Sequence, residues 1–438
     1  MSAKHRVVIV GGGFGGLHAA KALRNAPVEV TLLDRRNYHL FQPLLYQVST
    51  GGLSPGEIAQ PLRSIFAKQK NVRVLMSEVE GFDPKGKTVQ TANGPVPYDT
   101  LIVAAGAKTS YFGKEAWQDT ASGLKNIDDA TRLRAKIFNA FEQAEKTNDP
   151  ALRRAWLTFV IVGGGPTGVE LAGALGEIAN DTLREDFRSI KPEEARILIL
   201  DAGPRILAGF SPKLSQAAER QLIELGVRCR SNVRVMDLRA DGALVRSSEG
   251  EDFIPARTIL WAAGVTSSPL GAALAADLQV PLEKGGKLPV EADCSVPGHP
   301  DVFVIGDMAH FVHGPDGAKL ERPLPGVCQV AMQMGDYVGD LIQRRLRNEA
   351  AAKPFSYWDK GNMAVIGRHR AVAQVGRFEF SGYFAWLLWV FIHILYLVNF
   401  QNRLLVAIRW GFAYFTFNRG ARLITRTSQY RPTLQSSL

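Results

Sequence analysis

Residues 6–23 read RVVIVGGGFGGLHAAKAL, and this stretch decides the fold. An apolar, β-branched run leads into a G-x-G-x-x-G loop, and the loop opens a helix of small residues. We expect Gly11 to allow a tight turn, Gly13 to let the backbone approach a pyrophosphate, and Gly16 to let the helix pack closely on the sheet. The next apolar run ends at Asp34, whose carboxylate can accept hydrogen bonds from ribose hydroxyls. The order of strand, loop, helix, strand and acid predicts a dinucleotide-binding unit; the alternative is a tight turn in an ordinary α/β domain.

The same pattern recurs at residues 157–175, LTFVIVGGGPTGVELAGAL. The interval from Gly168 in this loop to Asp201 at the end of the next strand exceeds the usual ~20 residues, which predicts a longer helix or an extra turn. An acid at the strand end favours an unphosphorylated ribose and hence NADH, although nearby Arg205 leaves NADPH open. One chain therefore holds two dinucleotides, most simply FAD and NADH. The residues of this second fingerprint are Gly163, Gly165, Gly168 and Asp201.

Further strand-like runs close both units at residues 98–109 and 257–268, and residues 301–311 add DVFVIGDMAHF. Their order predicts an α/β fold of two Rossmann-like domains, with the second inserted in the first, followed by a C-terminal amphipathic helical membrane anchor. The predicted domains are an FAD-binding domain at residues 1–118 and 288–355, an NADH-binding domain at 119–287, and a C-terminal cap and anchor at 356–438.

Gly306 and Asp307 end the run VFVIGD. A strand-end carboxylate can accept from the ribityl hydroxyls of a flavin. We expect the helix that follows to point its positive end at the flavin, stabilising the anion of the reduced form. The alternative for Asp307 is a helix cap.

The C-terminal part of the chain predicts membrane association. From residue 361 onward there are nine arginines and one acid, and residues 383–400, YFAWLLWVFIHILYLVNF, are almost continuously apolar. That run is long enough to cross a bilayer as a helix, whereas the arginines and aromatics that follow suit a helix in the membrane interface. A buried core or dimer helix is the alternative, and nucleic acid binding is disfavoured.

The N-terminus lacks the pattern of a signal peptide, and three widely separated cysteines give no support for an iron–sulfur cluster or other metal site. We therefore expect a peripheral protein on the cytoplasmic face of the inner membrane. A homodimer is compatible with the sequence.

Several further stretches together resemble the type II NADH dehydrogenases, single-subunit NADH:quinone oxidoreductases. The resemblance runs from about Arg6 to Leu423 and implies that FAD takes a hydride from NADH and passes electrons to a membrane quinone without proton pumping. The stretches are GGGFGG, residues 37–63 beginning NYHLFQPLLYQ, GGGPTGVELAGAL, LWAAGV, VFVIGD, CQVAMQMG, DKGNMAVIGRHRAV and the aromatic tail.

The resemblance also implies roles for individual residues. It places FAD on Gly11, Gly12, Gly13, Phe14, Gly15, Gly16, Asp34, Pro43, Val79, Ala105, Gly306 and Asp307. It places NADH on Gly163, Gly164, Gly165, Thr167, Gly168, Asp201 and Gly264. It implies that Gln329 and Gln333 belong to the quinone site. It also implies that Lys360 lies near the flavin and that Glu170 relays protons. For Lys360 a loop residue, and for Glu170 a favourable interaction with the helix dipole, are sufficient alternatives.

The two glutamines lie four residues apart, so they share one face of a helix that should begin after Pro325 and Gly326. In isolation they would be satisfied core amides. Two residues depart from the family pattern: Cys328 replaces the usual alanine, and Met334 lies where a polar residue is common. Rival hypotheses are a sulfide:quinone oxidoreductase, a ferredoxin or rubredoxin reductase, and a membrane-recruited flavoprotein that senses NADH.

Overall fold

A computed structural model describes residues 4–314, 318–350, 352–416 and 419–425. The chain divides into two compact units. The first contains Met1–Leu40, Ala59–Lys108 and Val265–Lys360, and the second contains Phe41–Ile58, Thr109–Gly264 and Gly361–Leu438. The domain boundaries predicted from the sequence stay a prediction. Arg426 and Arg431 of the basic tail lie outside the described residues.

The first unit is built on a six-stranded sheet. The strand His299–Val304 pairs in parallel with Thr100–Val103, although the whole second sheet lies between them in the chain. This return of the chain to the first sheet is the arrangement expected of an inserted domain. In spatial order the strands are Ser295–Val296, His299–Val304, Thr100–Val103, His5–Val10, Val28–Asp34 and Val72–Met76.

Two helices of the first unit pack closely because glycines face the contact. These are the first loop helix, Phe14–Ala22, and the glutamine helix, Cys328–Leu346. A Cβ at Gly335 would lie 2.3 Å from the carbonyl oxygen of Gly15. The smaller elements of this unit are the helices Leu62–Ile65 and Pro269–Leu278, the sheet of Val79–Asp83, Thr88–Thr91 and Val96–Pro97, and the pairs Tyr38–Leu40 with Ala59–Pro61 and Leu288–Pro289 with Ala309–His310.

The second unit is built on a five-stranded parallel sheet with a core on each face. Along the strand Thr158–Val162, Phe159 and Ile161 pack into one core while Val160 and Val162 pack into the other. This alternation follows from the two-residue period of a strand. In spatial order the strands are Ala121–Ser122, Thr258–Trp261, Thr158–Val162, Arg196–Leu200 and Val227–Arg230.

Helices and two antiparallel sheets cover this parallel sheet. The helices are Leu45–Ser49, Pro55–Ile58, Trp117–Thr120, Ile127–Lys146, Pro150–Trp156, Pro166–Glu177 (the second loop helix) and Pro212–Ile223. One antiparallel sheet contains Arg234–Arg239, Gly242–Ser247 and Gly250–Pro255, and the other, the C-terminal sheet, contains Asn362–Gly367, Arg370–Val375 and Phe378–Ser381. The expectation of two Rossmann-like α/β folds is confirmed.

Two C-terminal helices, Tyr383–Tyr396 and Phe400–Thr416, complete the second unit. The apolar run 383–400 therefore forms a helix of 14 residues that stops before Leu397. Among the described residues, no helix combines the length and apolar character needed to cross a membrane.

Candidate functional site

The first glycine loop, residues 11–16, has the geometry that its spacing predicts. Gly11 has φ +104°, a region that L side chains rarely adopt, and a Cβ there would lie 2.4 Å from the carbonyl oxygen of Ala104. A Cβ at Gly16 would lie 1.9 Å from the carbonyl oxygen of Gly11, so only glycine permits this turn. Around Gly13 no atom lies within 4 Å of the Cβ position, which leaves room for a pyrophosphate.

Asp34 ties this loop to the neighbouring strand. Its Oδ2 accepts from the backbone N–H of Gly12 at 2.6 Å, and its Oδ1 accepts from that of Arg36 at 2.7 Å. Burial raises the pKa of Asp34, and the two backbone donors oppose that rise. Each carboxylate oxygen has a second lone pair, so a ribose hydroxyl can still bind there.

His39 is a buried residue that contacts the first loop, and the sequence did not single it out. Its Nδ1 lies 2.9 Å from the carbonyl oxygen of Gly12, and its ring contacts Phe14 edge-on at 5.1 Å. Burial lowers the pKa of His39 to about 4, so the ring is neutral and its Nδ1–H donates to the carbonyl. Asp34 and His39 together hold both backbone groups of Gly12. In the sequence, the signal for a role of His39 was its position within residues 37–63, a stretch that resembles the family.

The second glycine loop, residues 163–168, repeats this arrangement. Gly163 has φ +106°, a Cβ at Gly168 would lie 1.9 Å from the carbonyl oxygen of Gly163, and the space around Gly165 is open. Asp201 accepts from Gly164 at 2.6 Å through Oδ2 and from Gly203 at 2.7 Å through Oδ1. Like the first loop, the second loop therefore has an open glycine position and a strand-end carboxylate that accepts from its backbone.

The long interval before Asp201 contains extra turns, as predicted. A π-helical turn, Ile178–Thr182, and a 3-10 turn, Pro192–Glu194, separate the second loop helix from its strand. The guanidinium of Arg205 donates to the carbonyl oxygens of Ala208 and Phe210 at 3.1 and 3.0 Å. Since Arg205 is held by its own loop, it gives little support for a phosphorylated ribose, and the geometry favours NADH.

The Gly306 and Asp307 motif differs from the expectation in one respect. The helix that follows the motif does not begin at Asp307 itself, because Gly306–Met308 is a single 3-10 turn followed by the strand Ala309–His310. The chain instead brings residues just before the glutamine helix to this point, since a Cβ at Gly326 would lie 3.1 Å from Oδ1 of Asp307. The carboxylate and the open first loop fit the hydroxyls and pyrophosphate of FAD.

The glutamine helix begins at Cys328, directly after the predicted start signal. Both ends of the Gln333 amide bind the backbone of Trp358: Nε2 donates to its carbonyl oxygen and Oε1 accepts from its N–H, both at 3.0 Å. Oε1 of Gln329 is buried and has no hydrogen-bond partner among the described residues. The two amides therefore differ: Gln333 holds the Trp358 segment, and Gln329 retains an unused acceptor.

The two departures from the family pattern have separate explanations. The sulfur of buried Met334 accepts from the backbone N–H of Gly306 at 3.3 Å, so this thioether supports the flavin motif. Burial raises the pKa of Cys328 to about 11, which keeps it a neutral thiol. Lys360 lies with its Nζ 5.2 Å from the ring centroid of Trp358, in a cation–π contact.

The remaining predicted residues lie at ends and turns of elements. Ala105 contacts the first glycine loop, because a Cβ at Gly11 would lie 3.2 Å from its Cα. Val79 begins the strand Val79–Asp83 and is buried. In the second unit, Pro43 lies in the 3-10 turn Gln42–Leu44. Gly264 has φ +73°, and its Cβ position lies 2.5 Å from the ring of Phe112.

A cavity of about 150 Å³ lies within the second unit, and Glu170 is in its wall. Burial raises the pKa of Glu170 well above its ordinary value, and a backbone hydrogen bond from Val365 only partly opposes this shift. In its protonated form this carboxyl group is able to donate a proton. Burial also raises the pKa of the Tyr46 phenol, and the charge of Glu170 adds to that rise.

Aromatic and charged residues missed at the sequence level complete the cavity wall. Glu177 accepts from the guanidinium of Arg419 at 2.6 Å and from the backbone N–H of Arg368 at 2.5 Å. Glu177 lies seven residues after Glu170, a spacing that could have identified it, whereas Arg419 belonged to a tail interpreted as membrane-bound. The other lining residues include Tyr46, Gln47, Asp181, Trp386, Trp389, Trp410 and Tyr414. Across the described part of the chain, no group of three His, Cys, Asp or Glu side chains could hold a metal ion.

Comparison with family models identifies two segments. Residues 5–335 match the pyridine nucleotide-disulphide oxidoreductase family, and residues 359–418 match the NDH2 C-terminal domain. The type II NADH:quinone oxidoreductase NdhA of Mycobacterium tuberculosis is 46% identical over 436 residues, covering 98% of this chain and 91% of that protein. The type II NADH:quinone oxidoreductase of Staphylococcus haemolyticus is 30% identical, covering 86% of this chain and 92% of that protein.

Solved structures show the same fold. The structure of NDH2 from Plasmodium falciparum in complex with NADH has a TM-score of 0.85 at 21% identity, covering 96% of this chain and 99% of that one. The sulfide:quinone oxidoreductase of Aquifex aeolicus has a TM-score of 0.72 at 19% identity, covering 91% of both chains.

Proposed function

This chain belongs to the family of type II NADH:quinone oxidoreductases, and we propose that it oxidises NADH and reduces a membrane quinone without pumping protons. The reaction is NADH + H⁺ + quinone → NAD⁺ + quinol, so each turnover takes up one proton. FAD, when bound, supplies two-electron redox chemistry between NADH and the quinone.

We assign the two dinucleotides to the two glycine loops. The first loop, Asp34 and Asp307 hold FAD, and the second loop with Asp201 holds NADH. Backbone N–H groups and the open glycine position receive each pyrophosphate, and the strand-end carboxylate receives ribose hydroxyls. The engagement of Arg205 by its own loop supports NADH over NADPH.

The cavity in the second unit carries the quinone assignment. It combines a buried acid, Glu170, with the indole rings of Trp386, Trp389 and Trp410. The aromatic rings offer an apolar surface to a quinone, and the acid can protonate a quinone oxygen as that oxygen gains charge. Glu170 is therefore the proton donor of our proposal. Gln329 and Gln333 belong to the first unit and are not among the residues that line this cavity, so their role in quinone binding stays a prediction.

The C-terminal helices support attachment to a lipid surface. Large apolar side chains are exposed at three- and four-residue spacing, whereas Ala385, Trp389 and Val406 are buried. A helix with one apolar face exposed and the other packed on protein suits the membrane interface. The exposed residues are Phe384, Leu387, Phe391, Leu395, Leu404, Leu405, Ile408, Phe412 and Phe415. Binding at the cytoplasmic face of the inner membrane, and a homodimer, stay predictions.

The arginines of this region contribute less to membrane binding than the sequence suggested. Arg409 pairs with Glu57, Arg419 with Glu177 and Arg422 with Asp186. These contacts all lie within the second unit, so the membrane attachment that we propose depends mainly on apolar side chains.

Sulfide oxidation is not favoured by the cysteines. That chemistry needs reactive thiolates, but burial raises the pKa of Cys229 to about 12, that of Cys328 to about 11, and that of Cys294 well above its ordinary value.

The decisive experiment is an assay of the full-length protein purified from membranes. We expect a yellow protein whose flavin is bleached by NADH and reoxidised by a short-chain quinone, with one proton consumed per NADH oxidised. Absence of flavin, or reduced flavin that no quinone reoxidises, would contradict the proposed function.

A further inference from the structure

Three arginines lie on one face of the parallel sheet in the second unit. Arg228 and Arg230 are two residues apart on the outer strand of that sheet, so their side chains point to the same face. On the next strand, Leu198 pairs with Arg228, and Arg196 lies two residues before Leu198. Leu198 packs into the core beneath the antiparallel sheet of residues 234–255. The three guanidinium groups therefore lie on the face that this antiparallel sheet covers.

The arginines line a cavity between the two sheets. Its volume is about 350 Å³, and its other wall is formed by residues 252–255 of the antiparallel sheet. This volume lies at the lower end of the ~300–1,000 Å³ that is typical of small-molecule sites. The space is therefore large enough for a ligand with several non-hydrogen atoms.

Positive charge in the wall of this cavity exceeds negative charge. Among the described residues that line it, Asp252 is the one carboxylate, and its Oδ2 lies 3.2 Å from Nη1 of Arg230. No carboxylate within the described ranges forms an ion pair with Arg196 or Arg228. Three positive groups and one negative group leave a net charge of +2 in the wall.

The arginines are close enough to repel one another. Burial lowers the pKa of Arg196, and the charges of Arg154 and Arg228 lower it further. Since an arginine stays protonated in proteins, this shift expresses a repulsion that a bound anion would relieve. Glu193 and Glu194 line an adjoining hollow, but neither pairs with these arginines in the part of the chain that the structure describes.

The spacing of the guanidinium groups suits two linked phosphate groups. Each guanidinium presents paired N–H donors that match two oxygens of one phosphate. The Cα atoms of Arg228 and Arg230 are about 7 Å apart along their strand, and those of Arg196 and Arg228 about 8 Å apart across two strands. Side chains at this spacing can each bind a different phosphate of a diphosphate.

We propose that this cavity binds a diphosphate-bearing anion, held by Arg196 and Arg228. Asp252 engages Arg230, the arginine nearest the second glycine loop, whose backbone carbonyl accepts from the N–H of Asp201 at 3.0 Å. Arg196 lies five residues before Asp201, roughly 16 Å away along the strand, so the anion and NADH should bind at the same time. The site goes beyond the proposed function and does not depend on quinone reduction.

The test is a calorimetric titration of the full-length, FAD-loaded protein with inorganic diphosphate at about 0.15 M salt, without divalent cations. Arg196→Gln and Arg228→Gln each remove one of the two proposed ligands, and Asp252→Asn removes the opposing carboxylate. Arg246→Gln is the matched control. It removes the same charge from the opposite face of the antiparallel sheet, since the residue before it packs into the core.

We expect each of the two cavity substitutions to raise the Kd for diphosphate at least about tenfold, because a charge-assisted hydrogen bond is lost. Arg246→Gln should change the Kd by less than about twofold, and Asp252→Asn should lower it by about threefold or more. Flavin bleaching by NADH should stay within about twofold of the wild type in all four variants, which verifies that they fold.

The source of the diphosphate is identified by repeating the titration with ADP. Binding of ADP with the same dependence on Arg196 and Arg228 supports a nucleotide as the ligand. Binding of free diphosphate alone supports an inorganic one.

Three results would overturn the inference. The first is a wild-type protein that binds no diphosphate, whether or not its arginines bind it to phosphatidylglycerol vesicles. The second is an equal loss of affinity in Arg246→Gln, which would indicate a general effect of surface charge. The third is displacement of diphosphate by NADH, which would place the anion in the dinucleotide site. Because the titration uses oxidised protein without quinone, a protein that cannot reduce quinone would contradict only the proposed function.

Discussion

At the scale of single residues, Asp34 and Asp201 form a matched pair within one chain. Each accepts two backbone N–H groups, at 2.6 and 2.7 Å, and each closes one glycine loop. Asparagine has one acceptor oxygen instead of two, so either substitution breaks a loop contact at a cost of about 1–3 kcal/mol.

The pair predicts two separable defects. Asp34→Asn should lower FAD occupancy, measured as flavin absorbance per protein. Asp201→Asn should raise the KM for NADH about tenfold or more while flavin content stays at the wild-type level. If both substitutions remove flavin equally, our assignment of the two loops to different dinucleotides is wrong.

Glu170 gives a prediction about pH. Because burial raises its pKa, the folded protein binds the proton more tightly than the unfolded chain. The stability from this group is therefore fully present below the ordinary carboxyl pKa and decreases as pH rises toward the folded-state pKa. Glu170→Gln should remove this loss, and its melting temperature should exceed that of the wild type near pH 8.

The same substitution should lower quinone-dependent kcat by about 100-fold with FAD still bound, because glutamine cannot donate a proton. The fall of kcat with rising pH that depends on Glu170 should also disappear. Unchanged turnover would remove Glu170 from the mechanism. Flavin bleaching by NADH serves as the internal control, since that step requires no quinone.

Residue identity alone could not separate the two glutamines. Their four-residue spacing predicts a shared helical face, and the helix begins where expected. The partner of Gln333 is the backbone of Trp358, 25 residues further along the chain in a segment without regular structure. Such a contact depends on the path of a loop, which no local pattern specifies.

At the scale of elements, the second loop helix lies against the C-terminal sheet through Gly173. A Cβ at this position would lie 1.7 Å from the carbonyl oxygen of Ile366, a backbone atom that cannot move without shifting its strand. Gly173→Ala should therefore lower the free energy of unfolding by at least about 3 kcal/mol, measured by denaturant titration.

A matched control exists in the second C-terminal helix. No atom of the residues that the structure describes lies within 4 Å of the Cβ position of Gly411, so Gly411→Ala should be neutral or slightly stabilising through helix propensity. Equal effects of the two substitutions would contradict the importance of this packing contact.

Elements with local signals were predictable, and those with distant partners were not. The two glycine loops follow from a spacing of six residues, and the extra turns before Asp201 follow from the length of the interval. After Asp307 the chain enters a 3-10 turn and then a strand, and the next α-helix is the glutamine helix, which begins at Cys328. The return of residues just before that helix to Asp307 depends on the path of the intervening chain, which no local pattern specifies.

At the scale of the whole molecule, the C-terminal region is both a surface and a core. Apolarity suggested an anchor, yet Ala385, Trp389, Leu397 and Val406 are buried within the second unit. Beyond the last helix, Arg419 donates to Glu177 and to the hydroxyl of Thr50, at 2.6 and 3.1 Å. Composition cannot distinguish apolar residues that face lipid from those that face protein, because both have the same hydropathy.

This double role predicts different outcomes for truncation and for surface substitution. A chain ending at Gly382 loses the buried apolar side chains of Ala385, Trp389, Leu397, Val406 and Ala421 and the Arg419 contacts, so it should give little soluble protein and a lower melting temperature. Replacing Phe384, Phe391, Phe412 and Phe415 by serine changes only exposed positions, and this variant should stay folded, keep its FAD and be reduced by NADH. Its binding to lipid vesicles, measured by co-sedimentation, should fall at least about tenfold, since each exposed phenylalanine contributes apolar area to the interface. A truncated chain that is soluble, yellow and as heat-resistant as the full-length protein would show that the helices serve only as an anchor.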